Sequence, residues 1–332
     1  MSDLKELIRQ ESPTWLRRSR ERTGGFVTAG AFDEASSIWS EVKVVYMRLQ
    51  GDSKCAYCER KLESEYYGQI EQDVEHFRPK KKVVAWTVPV ALDALGIAPA
   101  VVPANSGYYR LAYHPFNYCA SCKPCNSALK GNYFPIEGAY NFNATSARAA
   151  KRERAFLVFP VGSWDEDPEQ LIDFYGASPR ALRPDGFRRS RALVTIEFLG
   201  LDDSIRRKNL YRERARILGA LFPQLQIRSG ILPADDETCR TAERLITGYT
   251  SAKAPHTNCA RSYVRLYDSD RAAAERLYHE AAEFGDTTSS GASNRNACVP
   301  YSRSVDLQMC EKGCRACSFF RHICCGMASR SK

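Results

Sequence analysis

The sequence has no apolar run long enough to cross a membrane. Its longest weakly charged stretch, residues 83–107, contains Asp93 and the prolines Pro89, Pro99 and Pro103. Its first residues, MSDLKELIRQ, lack the apolar core and small-residue site of a secretion signal. There is no internal repeat and no nucleotide-binding loop, so any ATP would have to be bound by a partner. These absences exclude membrane-spanning, secreted and repeat-array classes, and the expectation is a soluble, cytoplasmic chain. With 332 residues, 44% hydrophobic and 26% charged, disorder and coiled coil are also excluded, and there is length for one large or two modest cores. Forty-eight Lys and Arg against 39 Asp and Glu give a formal charge of +9, which favours a polyanionic partner without proving one.

What is present is cysteine, thirteen in all. In a reducing compartment, CxxC spacing reads as metal ligands or redox groups rather than structural disulfides. Cys55-Ala-Tyr-Cys58 and Cys122-Lys-Pro-Cys125 are two such knuckles, and four thiolates can close a tetrahedral zinc site. The 63 residues between them exceed a compact zinc ribbon, so a structural element must be carried on the staple. Cys119-Ala-Ser-Cys122 is also a CxxC, and spacing alone leaves the ligand choice open.

Around the knuckles lie polar residues suited to metal-dependent hydrolysis. Glu75-His76 closes the segment DVEHF, where a carboxylate can hold a hard cation and an imidazole can take a proton from water. Arg78 and Lys80, Lys81 and Lys82 follow, Asn117 precedes the second knuckle, and Asn126 follows it directly, with Lys130 beyond. Tyr66, Tyr67, Tyr108 and Tyr109 are available for packing or for stacking, with core packing the favoured reading.

Elsewhere the pattern is mainly helical. Residues 3–10 and 33–49 read as helices, with Gly24-Gly25 breaking the basic stretch between them, and residues 1–50 as an N-terminal helical region. Residues 155–160 suit a strand, Ser178-Pro179 and Pro184-Asp185-Gly186 are turn signals, and 188–200 reads as a helix. Asp202-Asp203-Ser204 can cap a basic helix over 205–222, with Ile205, Leu210, Ile217 and Leu221 inside and a cationic polar face. Residues 237–284 look helical again, and GDTTSSGASN marks a linker from about Gly285.

The series DVEHFRPK, YYRLAYHPFN, CxxCN and LKGNYFP resembles the HNH endonuclease motif, the zinc-stapled form of the ββα-metal or His-Me finger fold. The likeness covers residues 55–135, about a quarter of the chain. A weaker likeness through RALVTIEFLGLDD and the basic helix is similar to the HNH subunit of Septu anti-phage systems and its retron-linked relatives. The resemblance implies an α+β fold, mainly helical, with an embedded nuclease core over 51–137 carrying an insert over 83–113, and a helical region over 138–284. It implies Cys55, Cys58, Cys122 and Cys125 as ligands of structural Zn²⁺. Glu75 and Asn126 would hold a catalytic Mg²⁺ or Mn²⁺, His76 would be the general base, and Asn117 would orient the imidazole. Arg78, Lys80, Lys81, Lys82 and Lys130 would contact nucleic-acid phosphates. The family's register, an asparagine five residues before the knuckle and another directly after it, favours Cys122 and Cys125 over Cys119. Glu75 departs from the commoner Asp, and the insert is long for the motif. The implied activity is phosphodiester hydrolysis, DNA favoured over RNA, in anti-phage defence beside a partner ATPase of the ABC or SMC type. The competing reading is a non-catalytic zinc-dependent nucleic-acid-binding or partner-docking module.

Cys310, Cys314, Cys317, His322, Cys324 and Cys325 crowd residues 285–332. CxxxCxxC is a spacing of radical S-adenosylmethionine enzymes, but only 15 residues follow it, which excludes their barrel. A second zinc site and a tail of reactive thiols both remain open there.

Overall fold

The computed structural model describes residues 2–162 and 164–286. Helix α1 (Ser2–Glu11) stops ahead of Pro13, and α2 (Trp15–Ala29) runs through Gly24 and Gly25, which were expected to break it. Two glycines cost a helix about 1 kcal/mol each, but both ends of α2 are anchored. Trp15 is wholly buried and its indole Nε1 donates to the Ile38 carbonyl at 2.8 Å, while Phe26 is buried against Phe32 and Tyr113. The helix ends at Gly30, whose left-handed φ of 72° lets its N–H reach the Phe26 carbonyl.

The helix expected over 33–49 is shorter. A 3₁₀ turn at Trp39–Val42 leads into α3 (Lys43–Leu49). Ile38 caps that turn, its carbonyl accepting from both Glu41 N–H and the Trp15 indole, while its own N–H is taken by the Tyr113 hydroxyl.

Next come α4 (Glu65–Glu71), β1 (Gln72–His76), α5 (Val90–Asp93) and β2 (Tyr118–Cys122). The two strands form an antiparallel hairpin whose register runs from Gln72↔Cys122 to His76↔Tyr118. The free edge of β2 is covered by the Gln50 amide, which donates to the Ala120 carbonyl at 2.7 Å and accepts from its N–H at 2.8 Å. A π-helical segment, Pro124–Lys130, follows, so Asn126 lies inside the first turn rather than opening it.

Apart from α5, the insert is irregular, and its end is tied to the loop after β1. Tyr108 N–H donates to the Pro79 carbonyl at 2.9 Å. Gly107, at φ 79°, presses on Lys81 so closely that a Cβ would stand 2.0 Å from the Lys81 carbonyl oxygen. No other residue fits there.

In the second half, residues 155–160 are mostly buried but make only the Ala155–Ile136 bridge, not the expected strand. A second antiparallel hairpin joins β3 (Ile172–Tyr175) to β4 (Ser178–Ala181). Its turn falls at Gly176, where φ is 63°, so Ser178 and Pro179 belong to the strand. Helix α6 (Gly186–Phe198) precedes α7 (Lys208–Arg228), the basic helix. Its start is later than expected because the Asp203 carboxylate accepts from Ile205 and Arg206 N–H and closes a separate turn. Ile205, expected inside, is 85% exposed. The expected cationic face is partly folded inward. Arg214 is buried, donates to the Ala177 and Leu201 carbonyls and lies over the Phe174 ring.

Helices α8 (Asp236–Thr250), α9 (Thr257–Ser269) and α10 (Arg271–Asp286) all pack against α7. One apolar cluster extends from Leu4 to Ala281, so the regions drawn at 51–137 and 138–284 share a core. Among the described residues, no helix is long and apolar enough to cross a membrane. The C-terminal cysteines and His322 lie outside the described residues.

Candidate active site and metal centre

The two knuckles meet at the Cys122 end of the β1–β2 hairpin. The sulfurs of Cys55, Cys58, Cys122 and Cys125 all lie within 4.8 Å of one another, and all four residues are buried. Cys58 and Cys122 sulfurs are 3.9 Å apart. That is close to the edge of about 3.8 Å of a tetrahedron with Zn–S bonds of about 2.3 Å. Four thiols at this spacing fit Zn²⁺ in both donor type and geometry, and the cluster can hold it. Among the described residues, no other set of three or more His, Cys, Asp or Glu side chains converges in this way. Cys119 is buried on β2 opposite Glu75 and stands outside the cluster, which resolves the ambiguity left by spacing.

Cations surround the thiols. Arg207 Nη2 lies 3.6 Å from Cys125 Sγ. Hydrogen bonds from the neighbouring thiols draw Cys58 well below the ordinary thiol value, and the Arg207 charge adds to that. The knuckle is also bolted to the distant helices. Glu59, at a left-handed φ of 58°, accepts from the Asn258 N–H at the start of α9, and its carbonyl accepts from His256 N–H at 3.1 Å. Arg60 and His256 share the Glu213 carboxylate at 2.6 and 3.0 Å. Thus a residue of the knuckle caps a helix 199 positions away in sequence.

The other end of the hairpin carries Glu75 and His76. Successive side chains of a strand point to opposite faces, and these two have different surroundings. His76 is buried between Trp39 and Tyr118, whose rings stand edge-on at 4.9 and 5.0 Å. Its Nε2 lies 3.1 Å from the Ala112 carbonyl, which also accepts from the Tyr118 hydroxyl. A carbonyl can only accept, so in the neutral ring Nε2 carries the proton and Nδ1 holds the lone pair. Burial, with Lys80 adding, pushes the imidazole well below its ordinary value, so the ring is neutral at physiological pH.

Glu75 is also buried, and the Lys130 ammonium approaches its Oε1 at 2.5 Å. Burial raises the carboxyl and Lys130 opposes it. Lys130 is wholly enclosed and donates also to the His76 carbonyl at 3.0 Å, so it presents nothing to a phosphate at the surface. Arg78, likewise expected to contact phosphate, is buried instead against Glu153 at 2.9 Å and the Ala150 carbonyl at 3.2 Å. Lys80 lies 4.6 Å over the Trp39 ring, and burial lowers it to about 8. Lys81 and Lys82 are exposed.

Asn117 does not touch the imidazole. Its Oδ1 accepts from Arg78 N–H at 2.8 Å, and its Nδ2 donates to the Arg78 and Leu111 carbonyls at 3.0 and 3.1 Å. It clamps the two loops that flank His76, one of which supplies the Ala112 carbonyl. Asn126 donates through Nδ2 to Asp73 Oδ2 at 3.1 Å. Asp73, two residues before Glu75 and on the same face of β1, was missed, although the alternation in DVEH signals it. Trp39 and the Ala112 carbonyl were also missed, and no local pattern points to either.

A curated relative from Bacillus mycoides (strain KBAB4), Septu protein PtuB, is 28% identical over 181 residues, covering 54% of this chain and 52% of the relative. The chain therefore spans about half the length of the curated relative it matches. No family model matches the chain. No solved structure matches it either.

Proposed function

We propose that the chain is a metal-dependent HNH endonuclease and the nuclease component of a Septu-type anti-phage system. The observation that carries this reading is the neutral imidazole of His76, fixed on the Ala112 carbonyl next to a buried carboxylate and at the opposite end of a hairpin from a four-thiol staple. A packing histidine needs no such company, whereas a general base needs a fixed tautomer with an unprotonated ring nitrogen to take the proton. The likeness to PtuB supports the defence setting.

Glu75 and Asn126 would hold Mg²⁺ or Mn²⁺, a hard cation that takes carboxylate and amide oxygens and completes its shell with water and phosphate. The donor types fit. The amide nitrogen of Asn126 is engaged by Asp73, which aims its carbonyl oxygen elsewhere, and the Lys130 pair uses Oε1 of Glu75. When bound, the ion would stabilise negative charge on the phosphate and the leaving oxygen. His76 accepts the proton of the attacking water, whose oxygen bonds phosphorus as the phosphodiester P–O bond breaks. Lys80, beside His76, supplies positive charge toward the phosphate. DNA is the favoured substrate class.

A partner-gated form of the same activity is favoured by burial. His76 is 6% and Glu75 4% exposed, so a strand must gain access before cutting. A partner ATPase would supply that opening.

The test is cleavage of plasmid DNA and total tRNA by wild type and His76→Ala, with Mg²⁺ or Mn²⁺, alone and with a partner ATPase of the ABC or SMC type. Cutting that falls by about 10²–10⁴-fold in the variant is expected for a lost general base. Equal cutting by both proteins would overturn the reading.

A further inference from the structure

Of the cations that follow the catalytic strand, Arg78 is buried and Lys80 partly buried, which leaves Lys81 and Lys82 at the surface, short of a full seat for a substrate strand. Outside the motif, the 3₁₀ turn Ala149–Glu153 and the residue before it carry Arg148, Lys151 and Arg152, all exposed. Among the described residues no carboxylate pairs with any of the three, whereas neighbouring Arg154 is paired with Glu137. Beside the turn lies a cavity of about 730 Å³ lined by Tyr140, Asn141, Ser146, Arg148 and Arg152. The carboxylate at its edge, Glu153, is neutralised from within: Arg78 pairs with it, and the Tyr108 hydroxyl and Asn141 N–H donate to it at 2.6 and 2.7 Å. The groove is therefore cationic without an opposing free acid.

Its position is fixed relative to the catalytic strand. Arg78, two residues after His76, holds the turn through Glu153 and the Ala150 carbonyl, and the Arg78 backbone is itself clamped by Asn117. We propose that Arg148, Lys151 and Arg152 form a seat for the phosphodiester backbone of the nucleic-acid substrate, delivering it to the strand end that carries His76. This rests on the nuclease reading above. Guanidinium forks and an ammonium on a short turn suit successive phosphates, and such contacts carry affinity without sequence preference.

The test uses the full chain with Arg148→Ala, Lys151→Ala and Arg152→Ala combined. Its control removes three exposed cations elsewhere, Arg183→Ala, Arg216→Ala and Arg276→Ala. Binding of a fluorescein-labelled DNA duplex and of an RNA hairpin is followed by anisotropy over a salt series without added divalent cation. On the DNA, removing three phosphate contacts should weaken binding about tenfold or more and flatten the log–log salt slope by roughly 2 to 3. The control should leave the slope near that of wild type, and the RNA shows whether the same seat takes both backbones. Wild-type affinity and slope in the groove variant would overturn the proposal, as would an equal loss in the control, which would mean diffuse charge. If His76→Ala abolishes cutting while the groove variant binds and cuts as wild type, the groove fails and the nuclease reading stands. Groove-dependent binding without cutting would leave the seat and remove the nuclease.

Discussion

The two ends of the β1–β2 hairpin, about 14 Å apart across five paired residues, are built on different principles. At the Cys122 end, four side chains of one chemistry converge, and a cation binding them would create most of the local stability. At the His76 end, the candidate catalytic side chains are held by partners of other kinds: a backbone carbonyl, two aromatic edges, a buried ammonium and an asparagine clamp. One end can draw its donors together on a metal and is braced from outside through Glu59 and Arg60, whereas the other has no common ligand and is held by the fold alone.

The sharpest break is Cys58→Ser. Zinc content should fall by about one per chain and the melting transition should move to lower temperature, because the binding free energy of a structural zinc, ~10 kcal/mol or more in small motifs, is folding free energy. Metal analysis and differential scanning calorimetry would read both. A zinc-free variant melting like wild type would mean that the hairpin stands without its staple.

Lys130→Met acts at the other end. It strands the Glu75 carboxylate in a buried site, and breaking such a pair costs about 3–5 kcal/mol. Zinc should be retained while the urea midpoint falls. Glu75, already raised by burial, should rise further, so lowering the pH should recover part of the loss. Zinc loss in this variant would show that the two ends are not separable.

Gly107→Ala tests whether the insert positions the loop after β1 that carries Lys80 and Lys81. A Cβ at 2.0 Å from the Lys81 carbonyl, at φ 79°, forces the loop of Lys80 to move. An expected cost of about 1–3 kcal/mol should come with reduced cutting and unchanged zinc. Full activity would detach the insert from the site.

The smallest effect at neutral pH is at His114, whose burial lowers it to about 4 from 6.5, with Lys5 and Arg78 adding. Its folded form resists protonation, so stability present above pH 6.5 is lost as pH falls toward 4, by up to roughly 3 kcal/mol. His114→Gln should shift the acid-unfolding midpoint to lower pH with little change at pH 8. An unchanged midpoint would place the acid sensitivity elsewhere.

Much of the thiol centre was legible because its information is local: two CxxC knuckles name their own donors, and only the competing Cys119 needed the strand register to set it aside. The helices of the second half were legible from their apolar period, although α7 starts three residues late because Asp203 captures the preceding N–H groups. That the helix expected over 33–49 begins only after Ile38 was not recoverable, since the Ile38 N–H is taken by Tyr113 from elsewhere in the chain.

By itself, the sequence determined the thiol pairs, the Glu75-His76 dipeptide, the helical second half and the surplus of positive charge, all properties of residue type and spacing. Tertiary structure alone decided which cations face water. Arg78, Lys130 and Arg214 are turned inward by Glu153, Glu75 and a set of carbonyls, while Arg148, Lys151 and Arg152 are exposed and, among the described residues, pair with no carboxylate. The reason is physical: a charge buried in a core must find its partner wherever the fold brings one, and those partners are Glu153 and Glu75, far away in sequence, or backbone carbonyls that no side-chain pattern encodes.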